Sequence, residues 1–326
     1  MIQIAEILLE PEPTPFWRHL KQLGVDHAVG ILPRDFQGGA PSADLPWDYV
    51  PLAMYRDQVE AEGFSLSVIE DTPPMDNVRL GRAGREEEIE QFCTLVRNLG
   101  KLGVPTLCYN WMAVLPWLRT SLRLPGRGGA LVTGYDHQLL QDAPPTPAGT
   151  VGEEALWESL RFFLQRVLPV AEEAGVRLAM HPDDPPLSPI RGIARIMRNP
   201  EAFQRLIELV PSDFNGITLC QGNFTLMTDD LPSVIRQFGE QGKIFFVHFR
   251  DVQGEPARFT ETFLDEGKTD LLACLRAYRD VGFEGVLRSD HVPTLEGDSA
   301  PVPGYSAQAR LFAVGYIKGL REAAYR

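Results

Sequence analysis

The 326-residue chain predicts a single (β/α)8 (TIM) barrel over residues 1–326, with a long loop after its fourth strand. Eight short apolar runs alternate with longer segments of helical period, and no second composition regime interrupts them. The later runs end on His, Cys, His and Asp, the polar types that this fold places at its catalytic face. No Gly-x-Gly-x-x-Gly follows the first strand, so the signature of a doubly wound dinucleotide fold is missing.

The strands are expected at 2–8, 25–31, 64–69, 104–109, 176–181, 217–220, 244–249 and 285–287. Helices are expected at 15–23, 49–61, 85–102, 153–174, 200–209, 231–241, 270–281 and 306–324. Phe16, Leu20 and Leu23 give the first its apolar stripe, and Glu86, Glu87 and Glu88 give the third the acidic first turn that a helix dipole favours. Glycines such as Gly103 and Gly175 stand where a helix ends in a left-handed residue before the next strand. The segment 111–152, rich in Pro and Gly and carrying Trp111, Trp117, Arg119, Arg123, Arg127, Tyr135 and His137, reads as a lid or insertion over the strand mouth.

Composition narrows the function classes. A net charge of -13 argues against a nucleic-acid partner or an anionic membrane surface. An anionic small molecule would then need a local cation. The four cysteines are scattered without C-x-x-C spacing, and no apolar run is long enough to span a bilayer, so a reduced cytoplasm is expected.

The chemistry concentrates at the strand ends: Glu70 and Asp71, Asn110, His181, Cys220, His248, and Asp290 with His291. Pro182 stops the fifth strand at His181, because proline has no N–H to give a sheet. His181, Cys220, His248 and Asp290 form a mixed N, S and O donor set, spaced by roughly 30–40 residues, about one βα unit each. Only neighbouring strands can bring them together, and together they suggest a divalent metal site. Asp183 and Asp184 are either turn formers or carboxylates that orient His181. His291 is a natural proton carrier beside a ligand, and Tyr305 follows a loop able to return over the site. Cys93, Cys108 and Cys274 read as core.

The motifs His181-Pro182-Asp183-Asp184-Pro185-Pro186, Leu219-Cys220-Gln221-Gly222-Asn223, Val247-His248-Phe249-Arg250 and Arg288-Ser289-Asp290-His291 carry a resemblance to the mannonate dehydratase family, metal-dependent barrels of the xylose-isomerase-like superfamily. Asn110-Trp111-Met112 and Trp117-Leu118-Arg119-Thr120 extend it, so that it runs from about 104 to 320. The chain departs from the family pattern at Pro116, where an acidic residue is usual, and at Ser289, where proline is usual. The resemblance implies Mn2+, or another divalent metal such as Fe2+, Co2+ or Ni2+, on His181, Cys220, His248 and Asp290. It also implies proton transfer by His291 and Tyr305.

The implied activity is a cytoplasmic hydro-lyase of hexuronate catabolism, a homo-oligomer converting D-mannonate to 2-keto-3-deoxy-D-gluconate and water. Asn110, Arg119 and Arg250 would hold the hydroxyls and the carboxylate. Which of His291 and Tyr305 is base and which is acid stays open on the sequence. The alternatives are a sugar isomerase or epimerase of the same superfamily and a non-catalytic sugar-acid-binding relative. A metal-dependent nuclease on this fold is disfavoured by the acidic balance.

Overall fold

The computed structural model describes residues 1–34, 44–298 and 302–326. Eight parallel strands form a closed barrel: β1 (Gln3–Ile7), β2 (His27–Gly30), β3 (Ser65–Ile69), β4 (Thr106–Asn110), β7 (Arg177–His181), β8 (Asn215–Cys220), β9 (Ile244–His248) and β12 (Val286–Arg288). Around the barrel they run in the order β1, β12, β9, β8, β7, β4, β3, β2. Each overlaps one of the eight apolar runs of the sequence. The barrel interior packs Ala5, Val29, Val68, Cys108, Ala179 and Phe246, and a larger apolar shell lies between strands and helices.

The helices of that outer ring are α1 (Pro15–Gln22), α2 (Tyr49–Ala61), α4 (Arg85–Leu102), α5 (Glu153–Ala174), α6 (Pro200–Leu209), α8 (Leu231–Glu240), α9 (Leu271–Asp280) and α10 (Ala307–Tyr325). Their ends follow local chemistry. Asn199 and Asp270 cap α6 and α9 by accepting from the N–H groups of Ala202 and Ala273, at 2.8 and 2.9 Å. Gly103 and Gly175 end α4 and α5 at φ +71° and +69°, a conformation that an L side chain resists. No described helix is long and apolar enough to cross a membrane.

Three features depart from the expected plan. Two short helices, α3 (Asp76–Leu80) and α7 (Gln221–Met227), lie in the connections after β3 and β8, the latter starting at the residue after Cys220. Segment 111–152 is not a bare loop: it contains β5 (Ser121–Pro125) and β6 (Leu131–Asp136). The connection after β9, expected as loop, forms the hairpin β10 (Val252–Glu255) and β11 (Arg258–Glu261). These four strands make an antiparallel sheet in the order β10, β11, β6, β5. It is fastened to the barrel mouth where Leu131 and Thr294 exchange backbone hydrogen bonds of 2.9 and 2.8 Å.

One barrel position tolerates nothing larger than glycine. A Cβ on Gly216 in β8 would lie 2.6 Å from the Lys243 carbonyl oxygen and would collide with the Phe245 ring. Overpacking of this kind costs about 1–3 kcal/mol. Gly216→Ala is therefore expected to lower the thermal midpoint in differential scanning calorimetry; an unchanged midpoint would show that the strand pair can part.

Candidate active site

A cavity of about 330 Å³ opens at the C-terminal mouth of the barrel, lined by His181, His248, Asp290, His291 and Tyr305 among others. Barrel register assembles its floor. Asn110 pairs with His181 across β4 and β7, Cys220 with His248 across β8 and β9, and His248 with Arg288 across β9 and β12. In-register parallel strands keep equivalent pleat positions side by side, so residues far apart in sequence meet.

Donor atoms of His181, Cys220 and His248 lie within 4.8 Å of one another there, and Asp290 Oδ2 stands beside two of them. His181 Nε2 lies 3.2 Å from His248 Nδ1, which is 3.5 Å from Asp290 Oδ2; Cys220 Sγ is 3.8 Å from that same oxygen. Donors bound tetrahedrally at ordinary metal–ligand lengths sit about 3.3–3.8 Å apart. His181 Nδ1–H donates to the Pro182 carbonyl at 2.7 Å, which leaves the Nε2 lone pair facing the cluster. His248 Nε2 is buried without a hydrogen-bond partner: Glu70 Oε1, at 3.2 Å, is poorly aligned with it. Burial and Arg288 push the His248 pKa down, but Glu70 and Asp290 prevail and lift it to about 9. Positive charge is thus favoured where the donors meet. The donor set and this surplus of negative charge fit a divalent transition-metal ion.

The cavity wall is acidic. Glu70, Asp71, Asp184 and Asp290 line it, and no Lys or Arg does among the described residues. Burial opposes ionisation of Glu70, yet Arg288 and His248 hold its carboxyl at about 2. Burial likewise opposes Asp290, which His291, His248 and Arg288 keep well below the usual carboxylate range. Tyr305 donates to Asp290 Oδ1 at 3.0 Å, and burial together with the Asp290 charge pushes its phenol well above the ordinary value.

Several sequence expectations need correction. Arg119 and Arg250 do not face the cavity. Arg119 donates to Asp184 at 2.5 and 2.9 Å and also pairs with Glu261. Arg250 donates to Asp290 (2.7 Å), Glu261 (3.0 Å), Asp184 (2.9 Å) and Asn223 (2.8 Å). Both guanidiniums are spent on buried carboxylates and have no fork to offer a substrate. Arg123 is exposed and Arg127 pairs with Asp265, so neither reaches the cavity. Asp183 and Asp184 do not orient His181, since the Pro182 carbonyl does. Asp183 accepts from Met197 N at 2.7 Å, and Asp184 reaches Asp290 only through Arg250. Asn110 lines the cavity as expected, with its Oδ1 accepting from Arg79 at 3.0 Å.

Cys93 and Cys274 are buried in helices as core residues. Cys108 is also buried but lies on the cavity floor, its thiol raised well above its usual pKa by burial and by Glu70. Gly222 explains part of its motif: a Cβ there would collide with Arg250 Nη1. Three residues of the site had no role assigned from sequence. Trp117 packs 5.2 Å from the His291 ring, and Arg288 clamps Glu70 with two bonds of 2.9 Å. The third is Glu261 of β11, on the accessory sheet, which accepts from both Arg119 and Arg250 and from His291 Nδ1 at 3.0 Å.

A family model described as D-mannonate dehydratase (UxuA) matches residues 17–149 and 147–326. The chain belongs to the mannonate dehydratase family. The mannonate dehydratase of Thermotoga neapolitana is 35% identical over 96% of this chain and 95% of its own length. Mannonate dehydratase 2 of Halalkalibacterium halodurans is 33% identical over 85% and 88%. The crystal structure of the mannonate dehydratase from Streptococcus suis serotype 2 superposes with a TM-score of 0.88 at 30% identity, covering 99% of this chain and 93% of that one. An L-ribulose 3-epimerase, at 18% identity and TM-score 0.62, shares the fold. Mannonate dehydratases are hydro-lyases, so the chain is a lyase of the sugar-acid dehydratase family.

The low carboxyl values set a pH dependence. Burial opposes ionisation of Glu261, yet Arg250, Arg119 and His291 hold it at about 2, below its ordinary 4.5. A depressed carboxyl contributes stability that is present above the unfolded value and lost as pH falls through the folded one. The thermal midpoint should therefore drop as pH falls from 4.5 toward 2, and Glu261→Gln should flatten that slope in calorimetric scans. An equal slope in the variant would remove Glu261 from the account.

Proposed function

We propose that the chain is a metal-dependent dehydratase converting D-mannonate to 2-keto-3-deoxy-D-gluconate and water. The meeting of His181, Cys220 and His248, with Asp290 beside the last two at 3.8 and 3.5 Å, under a cavity that also holds His291 and Tyr305 carries this reading. The acidic wall supports it too, because among the described residues no Lys or Arg lines the cavity, and a sugar carboxylate there calls for a bound ion. Mn2+, Fe2+, Co2+ and Ni2+ all suit the donor set, and the bound ion supplies the charge that stabilises the substrate carboxylate as the neighbouring carbon loses its proton.

His291 takes the C2 proton on Nε2, since its Nδ1 is engaged by Glu261. Tyr305, held as a neutral phenol, gives its proton to the C3 hydroxyl as the C–O bond breaks, and water leaves. The enol that remains takes the His291 proton at C3 while its C2 hydroxyl proton passes to the Tyr305 phenolate, so the 2-keto acid forms and both residues return to their starting states. Asn110 holds a substrate hydroxyl. Segment 111–152, with Trp117 against His291, acts as the lid. Four free, buried cysteines suit a cytoplasmic enzyme.

The decisive experiment incubates the Mn2+-loaded protein with a panel of aldonic acids and follows product mass. A keto acid lighter by one water from mannonate is expected. An isomer of unchanged mass would replace this reading with an epimerase, and binding without turnover would replace it with a regulatory relative. Cys220→Ala should lower metal content and activity together. Tyr305→Phe should keep the metal and cut kcat by about 10²–10⁴-fold; full activity in that variant would remove Tyr305 from the chemistry.

A further inference from the structure

The accessory sheet brings one ionisable side chain into contact with the catalytic face. Glu261, the last residue of β11, is 2% exposed and reaches His291 Nδ1 with Oε1 at 3.0 Å. Its remaining contacts are Arg119 on Oε1 and Arg250 Nη1 on Oε2 at 3.0 Å. Both arginine partners can only donate, which commits the carboxylate to accepting on every side. The proton between Glu261 and His291 therefore belongs to Nδ1, so that whenever the ring is neutral its lone pair lies on Nε2. The ring plane is fixed as well: Trp117 packs against it at 5.2 Å and Tyr305 meets it edge-on at 5.5 Å between ring centroids.

We propose that Glu261 is a positioning residue for the lyase reaction: it selects the His291 tautomer with Nε2 free and aims that nitrogen into the cavity. This rests on the reading of His291 as the proton acceptor. Arg119 and Arg250 complete the device by holding Glu261 between them, and they in turn are anchored by Asp184. The accessory sheet thereby contributes to the chemistry while touching neither substrate nor metal donors through Glu261.

The test has one arm that needs no turnover. In protein labelled with 15N at histidine, with the His291 signal assigned by its loss in His291→Gln, the wild-type ring should show the Nδ1–H tautomer. Glu261→Gln should shift it toward a mixture. Finding the Nε2–H tautomer in the wild type overturns the proposal, whatever the substrate proves to be. The kinetic arm uses mannonate deuterated at C2. Glu261→Gln should lower kcat about 10–100-fold, with KM and metal content unchanged and a larger isotope effect, because proton removal becomes the slow step. Loss of metal, a raised KM or an unchanged isotope effect would assign Glu261 a purely structural role. Should Glu261→Gln fail to fold, Glu261→Asp keeps the charge between the arginines but withdraws it from His291, and the same signature is expected; wild-type kinetics there would sink the idea. Full turnover in His291→Gln would instead defeat the reading of His291 on which the proposal stands.

Discussion

Two guanidinium groups hold this catalytic face together. Asp184, Glu261 and Asp290 are buried within a few ångströms of one another, and an unpaired buried carboxylate would protonate or force the mouth apart. Arg119 bridges Asp184 to Glu261, and Arg250 bridges the same two and reaches Asp290. The planar five-donor fork of arginine makes this possible where a lysine ammonium could not. With those charges balanced, Asp290 can stay ionised at the donor cluster, and Glu261 can stay ionised beside His291. The placement of His181, Cys220, His248, Asp290 and His291 around the cavity depends on that balance.

The barrel was legible because its strands are buried on both faces and read as continuous apolar runs, each closed by a residue that stops the ladder. Pro182 after His181 is the plainest example. The meeting of His181, Cys220 and His248 was legible for the same reason: a strand end is fixed in sequence by the last apolar residue, and barrel closure does the rest. The helix bounds agree to within a residue or two because the caps Asn199 and Asp270 and the glycines that follow α4 and α5 are local signals.

What the sequence hid is equally specific. The β5 strand carries Leu122, Arg123 and Pro125 exposed, and three of the four β10 residues face solvent, so neither shows the apolar pattern that marks a buried strand. The joining of β6 to β11 depends on partners more than a hundred residues apart. Arg119 and Arg250 were recognised by type but misread in task, since a guanidinium suited to a substrate carboxylate is equally suited to a protein one. Glu261 had no local signal at all. Its position depends on the pairing of β11 with β6, a tertiary fact.

The sheet over the mouth is woven from two excursions of the chain, residues 121–136 and 252–261, which lie on different barrel connections. Neither has a complete set of hydrogen-bonding neighbours alone: β6 lies between β5 and β11, and Gly134 pairs with both. The two excursions are therefore obliged to change in concert. A loop transplanted by itself from another barrel would arrive without its weaving partner, so this rim behaves as one heritable module rather than as a pair of interchangeable parts.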